Sequence, residues 1–148
     1  MVRALKDRPD VQVFAEIGAI DQLATVRIER VLPDGLTHAQ FMVLNHLVLR
    51  GQAFTPAQLA RTFQVTKGAM TNTVQRLSAA GLIAIEGDEH DGRKKQLTIT
   101  QAGVGAHERC MTAVRPMIEG LRKVFSEGDF EKVLPFLQAL RGWLGEAA

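Results

Sequence analysis

Three clusters of side chains in this chain have types and spacings that could do chemistry. Asn72, Gln75 and Arg76 fall between Thr66 and Gly81, in company with Lys67, Gly68 and Thr71. Asn and Gln each offer a paired donor and acceptor that fits the major-groove edge of adenine, and Arg suits guanine or a phosphate. A second cluster is the run Asp88, Glu89, His90, Asp91, Gly92, Arg93, Lys94 and Lys95. Its carboxylates and imidazole could be drawn as an acid/base or metal set, but both signs of charge crowd one short glycine-flanked stretch, so it reads as a solvated turn. The third, His107-x-x-Cys110, puts an imidazole and a thiol on adjacent turns of a helix, a spacing that can share a metal. Two ligands do not make a site, and His38 or His46 would have to supply others. A single Cys in a helix is ordinarily a small buried hydrophobe, and without cationic neighbours its thiol has no reason to be reactive. There is no G-x-S-x-G, no P-loop and no H-E-x-x-H, so neither an enzyme nor a cofactor or metal site is expected.

The first two clusters need particular elements to hold them. Thr55-Pro56-Ala57-Gln58 supplies a hydroxyl at the N-cap, a proline at N1 where its missing N–H costs nothing, and an amide at N3 that completes a capping box. A short helix should start at Pro56 and turn Leu59, Ala60 and Phe63 inward. Gln64-Val65 then leads to a second N-cap, Thr66. In the helix that follows, Met70, Val74 and Leu77 recur as a buried stripe, and Gly81 stands where a left-handed residue would end it. The helical period leaves Gly68, Asn72, Gln75 and Ala79 pointing outward, flanked by Thr71 and Arg76. Leu82 to Glu86 and Lys95 to Ile99 alternate apolar and polar, as the arms of a β-hairpin would, with the charged run as its tip. Two capped helices and a hairpin, in that order, make a winged helix-turn-helix.

The same residues resemble a known family. Asp91-x-Arg93, Leu97-Thr98-Ile99-Thr100 and Gly103 look like the wing signature of the MarR family. Leu36-Thr37-x-x-Gln40-Phe41-x-x-Leu44, Leu59-Ala60, and Arg76-Leu77-x-x-x-Gly81-Leu82-Ile83 are similar to its other recurring positions. Four motifs in register cover residues 36 to 103. The resemblance implies a homodimer that binds a pseudo-palindromic double-stranded DNA operator, represses by default, and answers to a small aromatic or phenolic effector. It implies a recognition helix carrying Thr66, Lys67, Gly68, Thr71, Asn72, Gln75 and Arg76, and a wing carrying Asp91, Arg93, Lys94 and Lys95. In the family the residue matching Asp91 holds the wing Arg, here Arg93, as it enters the minor groove, where groove width matters more than base identity. Peroxide sensing by a first-helix cysteine does not carry over, because this first helix has none. The rival from another class is a winged helix that mediates protein interactions and no longer binds DNA.

Composition sets the frame. The 148 residues, 46% hydrophobic and 23% charged, suit one ordinary soluble domain spanning 1–148. No apolar run is long enough to cross a bilayer and no signal-peptide core leads the chain, so a cytoplasmic protein is expected. A net charge of +2 says little, but all sixteen carboxylates lie outside Gly35 to Ile85, a span that holds Arg50, Arg61, Lys67 and Arg76. Two such spans brought together would present a broad positive face to phosphate.

The fold expected is mainly α with a small β-hairpin wing, a DNA-binding lobe over 36–100 and dimerisation helices over 10–32 and 101–146. Residues 1 to 10 read as a polar arm with Pro9 as a breaker. Phe14, Ile17, Ala24, Ile28 and Val31 stripe the first helix, and Thr37 to Gln40 box the second, which places His38 and His46 at surface or polar-edge positions. Thr100 should cap a long helix, Ser126 to Asp129 should break it, and Pro116 and Pro135 should kink the C-terminal helices without ending them. Kinked helices leave gaps. One lined by Ile17, Ile20, Leu44 and Met111, with His38 or Arg27 at its edge, would suit an aromatic ring bearing a carboxylate.

Overall fold

The computed structural model describes residues 2–87 and 95–146. Contacts divide the chain into Met1–Ala113 and Val114–Ala148. The first unit opens with a 3-10 turn over Leu5–Asp7, and helix α1 runs from Pro9 to Val31. Pro9 therefore starts the helix and does not break it, since in the first turn its locked φ is already helical and no partner exists for the N–H it lacks. Asp34 and Gly35, at φ 60° and 69°, turn the chain into α2, His38–Arg50. The expected capping box is present there: the Gln40 N–H donates to Thr37 Oγ1 at 3.2 Å, and the Thr37 N–H donates to Gln40 Oε1 at 2.8 Å.

Helices α3, Pro56–Phe63, and α4, Lys67–Ala79, follow, then strands β1, Ile83–Glu86, and β2, Gln96–Ile99. The strands pair antiparallel from Ile83 opposite Ile99 to Glu86 opposite Gln96. Phe54 adds a bridge on the other side of β2: the Leu97 N–H donates to its carbonyl at 2.7 Å and its own N–H returns to Leu97 O at 3.2 Å. Leu44, Leu47, Leu59, Leu77 and Leu97, from four different elements, are wholly buried together with Val43 and Cys110. Each such leucine contributes roughly 1.5–3 kcal/mol through burial, so this core fixes α4 and β2 against α2 and α3.

Helix α5, Gln101–Val124, is capped as expected by Thr100, whose hydroxyl accepts the Gly103 N–H at 3.0 Å and donates to Gly81 O at 2.7 Å. The helix runs unbroken through Pro116. In the second unit α5 stops at Val124, and Ser126 and Asp129 cap α6, Glu127–Glu146, reciprocally: the Asp129 N–H meets Ser126 Oγ at 3.2 Å and the Ser126 N–H meets Asp129 Oδ2 at 2.9 Å. Pro135 lies inside α6, which buries none of its described residues within the single chain.

Candidate nucleic-acid interface

Local chemistry holds α3 and α4 in place. Thr55 Oγ1 accepts the Gln58 N–H at 3.1 Å and Gln58 Oε1 accepts the Thr55 N–H at 2.8 Å, closing the box before α3. Thr66 Oγ1 accepts the Ala69 N–H at 3.1 Å, which starts α4. Between them the chain reverses through Gln64 at φ 53°, with the Val65 N–H on Ala60 O at 3.0 Å and the Gln64 amide nitrogen donating to Arg61 O at 2.7 Å. A left-handed residue closing a 6→1 bond is the usual end of a helix, but it is ordinarily glycine. Gln64 does it with the help of its own side chain, which is why sequence reasoning found the turn and not its conformation.

Helix α4 turns Met70, Val74 and Leu77 into the core and leaves Thr66, Lys67, Gly68, Thr71, Asn72, Gln75 and Arg76 exposed. Every residue expected on the outward face is there. At its other end the Leu82 N–H reaches back to Leu77 O at 3.0 Å, with Gly81 at φ 75°. That carries the chain directly into β1, so hairpin and helix are set by one junction. Gly103 is part of the same junction. A Cβ on it would lie 2.0 Å from Leu82 O and 2.7 Å from Ile99 Cγ1, so only glycine lets α5 approach the hairpin so closely. Of the wing set, Lys95 is exposed just before β2, while Asp91, Arg93 and Lys94 lie outside the described residues.

The remaining candidates differ in burial. Leu44 is sealed in the core, Ile17 and His38 are half-buried, and Ile20, Arg27 and Met111 are exposed. His46, expected at a surface or polar edge, is instead clamped between Phe54 and Phe63, with ring centroids 4.7 and 5.5 Å away. An imidazole at this point of α2 faces the bridge strand and α3, and both present phenyl rings. Its Nε2 is buried and meets no hydrogen-bond partner among the described residues. Burial, and then the charge of Arg50, push its pKa below the ordinary value. His107 is buried against Phe41, its Nε2 2.9 Å from Asn45 Oδ1, and burial lowers its pKa too, against a smaller raising effect of Glu108. Cys110 is fully buried, and burial pushes its thiol pKa up, with Asp34 adding to this and Arg109 opposing it. His107 and Cys110 are thus a polar tie between α5 and α2 and a core residue. Among the described residues, no three His, Cys, Asp or Glu side chains gather as a metal would require.

A capped helix-turn-helix, a hairpin wing and long flanking helices define a winged-helix protein. In particular, residues 34–94 match the MarR family, and the fold is that of MarR-type regulators. The transcriptional regulator BldR from Sulfolobus solfataricus superposes with a TM-score of 0.80 at 20% identity, over 95% of this chain and 99% of that one. A mutant MarR from E. coli complexed with operator DNA gives 0.75 at 22%, over 93% and 99%. BpsR from Bordetella bronchiseptica, whose DNA binding is regulated by 6-hydroxynicotinic acid, gives 0.75 at 22%, over 88% and 98%. At these identities the likeness is one of fold. No curated protein matches the sequence significantly. No described helix is long and apolar enough to cross a membrane.

Proposed function

We propose that this protein is a homodimeric transcriptional regulator that binds a pseudo-palindromic operator, with α4 of each protomer in the major groove and the wing residues Asp91, Arg93, Lys94 and Lys95 at the flanking minor groove. The observation that carries the reading is the outer face of α4. Asn72, Gln75 and Arg76 stand exposed on a helix whose start, end and inner stripe are all fixed, and no carboxylate interrupts the chain from Gly35 to Ile85. Rigid presentation of base-reading side chains in a positive field is what groove recognition asks of a protein. The operator complex of the MarR relative lends the reading weight, and repression follows the habit of the family.

The apolar surface of the terminal helices supports the dimer. Phe14, Ile20 and Leu23 on α1, and Phe136 and Trp143 on α6, are all exposed in the single chain, and a two-fold pairing is the commonest way to cover such surface. An aromatic acid or phenol is the effector class we propose, with Ile17, Ile20, Leu44 and Met111 as candidate apolar residues of its site and His38 or Arg27 as the candidate polar one. That BpsR responds to 6-hydroxynicotinic acid fits this class.

Selection from random duplex DNA, followed by binding at several salt concentrations, tests the proposal. A recurrent palindromic sequence and a steep fall of log K with log salt are expected. Asn72→Ala or Gln75→Ala should relax preference at single base pairs by about 1–3 kcal/mol, while Arg93→Ala weakens all sequences alike. A flat salt dependence with no selected sequence would leave the protein-interaction module as the better reading.

A further inference from the structure

His46 is a titratable group that the proposed function leaves unused, yet it joins the two parts of the lobe which that function needs. Its ring is tilted by 52° against Phe54 and stands edge-on, at 73°, to Phe63. Phe54 is the residue whose backbone pairs with Leu97 of β2. Phe63 ends α3, directly before the left-handed Gln64 that turns the chain towards α4. One row of three rings thus braces the base of the hairpin and the turn of the helix-turn-helix. Nothing around the row suits a charged imidazole. The buried Nε2 meets no hydrogen-bond partner among the described residues. On α2 the other ionisable groups are Arg50, one turn on, and His38 at the opposite end; residues 51–55 carry none, and α3 carries only Arg61. Helix α4 adds Lys67 and Arg76, and the two strands add Glu86, exposed at the end of β1. Of these charges Arg50 is the one that acts on the ring, and it repels a proton there.

We propose that His46 is a pH-sensitive latch: its neutral ring closes the row that holds hairpin and helix-turn-helix together, and its protonation opens the row and loosens both. The conformational part rests on the ring cluster alone, while its consequence for DNA rests on the proposed docking of α4 and the wing. A neutral imidazole can leave Nε2 bare as an unused acceptor. A protonated one puts a charged N–H where no acceptor waits, and attraction to the phenyl faces offsets part of that cost without supplying one. His46 as a whole is only half-buried, so the way out to water is short. Once the ring leaves, Phe54 and Phe63 face a gap. The pairing of Phe54 with Leu97, at 2.7 and 3.2 Å, and the bond from the Val65 N–H to Ala60 O, at 3.0 Å, then lose their brace. Burial first and Arg50 second favour the neutral ring, so the latch is closed at neutral pH and opens as pH falls below about 6.5.

The experiment follows wild type, His46→Phe and Arg50→Ala through a pH series at constant ionic strength, with circular dichroism to establish that each is folded at every pH used. Amide hydrogen exchange, corrected for its intrinsic pH dependence, is read at the bonded N–H groups of Phe54, Val65 and Leu97, and the His46 ring proton is followed by NMR. In the wild type, protection at these three amides should fall as the ring titrates, by up to about tenfold per pH unit for one proton. His46→Phe should keep it, and Arg50→Ala, which removes the repelling charge, should move the fall to higher pH. That second variant and the ring titration decide the matter even if His46→Phe fails to fold. Operator affinity should fall together with the protection in the wild type and not in His46→Phe. Added positive charge alone would act in the opposite sense and strengthen binding to DNA. A ring that titrates while the three amides keep their protection would overturn the latch, and so would a fall of the same size in His46→Phe. Amides that respond in a protein that binds no duplex at any pH would leave the latch standing and remove the DNA-binding reading, so the two failures are distinguishable.

Discussion

Gly103 and His46 carry most of what single residues add to this lobe. At Gly103 the constraint is space, since its Cα sits where a methyl group would meet Leu82 O at 2.0 Å and a side-chain carbon of Ile99 at 2.7 Å. Gly103→Ala must push α5 away from the hairpin, at a cost of about 1–3 kcal/mol by analogy with overpacked cores. A lower urea midpoint with an unchanged slope is the expected result; wild-type stability would mean that the junction yields easily. At His46 the constraint is charge. The fold holds its pKa below the ordinary value through burial first and Arg50 second, so the unfolded chain takes up the proton before the folded one. The stabilisation of the neutral ring is complete above the unfolded pKa of about 6.5 and is lost as pH falls from there through the folded value. His46→Phe keeps a ring between Phe54 and Phe63 and removes both the orphaned nitrogen and the titration. Its stability should decline less steeply below about pH 6.5 than that of the wild type, with a residual decline from His107, whose pKa is also lowered. Unfolding midpoints measured across pH decide this, and parallel curves would clear His46 of any part in acid sensitivity. The place of His46 was not legible in the sequence. A histidine on a helix announces neither which face it takes nor that two phenylalanines, eight and seventeen positions further on, will close around it.

At the scale of elements, what was legible was local. The boxes at Thr37 and Thr55, the cap at Thr66, the glycine at the end of α4 and the Thr100 hydroxyl as acceptor of the Gly103 N–H all act within a few residues of themselves, and each lies where its motif predicts. What was not legible is what depends on distance or on an uncommon conformation. Phe54 pairs with Leu97 across the lobe, and no periodicity in one residue could say so. In the sequence Pro9 reads as a breaker, because a proline before a helix and one inside it look alike until the first turn is located. The interior prolines of α5 and α6 are each outvoted by the rest of a long helix, one lost hydrogen bond against many kept. Gln64 offers the clearest test at this scale, because its φ of 53° is penalised by about 1–2 kcal/mol in any residue with a Cβ and most in a β-branched one. Gln64→Val should destabilise by at least that amount. Gln64→Gly should sit near the wild type, the relief of φ offsetting the loss of the bond to Arg61 O. Urea unfolding of the pair measures the difference, and equal stabilities would mean that the turn relaxes out of the left-handed region.

For the whole molecule the proposed function turns on the link between two copies. One lobe offers one recognition helix, and a dimer engages the second half-site as an intramolecular event, which can raise affinity by 10²–10⁴ without any new kind of contact. In the proposed dimer the half-sites lie about one helical turn apart, ~34–36 Å, and terminal helices joining the lobes would also set the spacing. On α1, Leu23 is 66% exposed and Ile20 61% in the single chain, yet an isolated surface helix has no use for two large aliphatic groups facing water. A charge there costs the monomer little and the dimer a great deal, since a buried unpaired carboxylate is among the most expensive groups an interface can hold. Leu23→Glu should therefore give a folded monomer by sedimentation. Its circular dichroism should match the wild type, and its operator affinity should fall by ~10²–10⁴ towards that of a single lobe on a half-site. The remaining half-site binding should still respond to Gln75→Ala, since the proposed base-reading face lies within one chain. Fluorescence of Trp143, 66% exposed in the single chain, gives an independent reading if α6 is covered by the same association, and its emission should shift to the red in the variant. If Leu23→Glu stays dimeric and holds the operator as tightly as the wild type, the interface does not run over this part of α1, and the exposed face of α6 becomes the surface on which to place the charge.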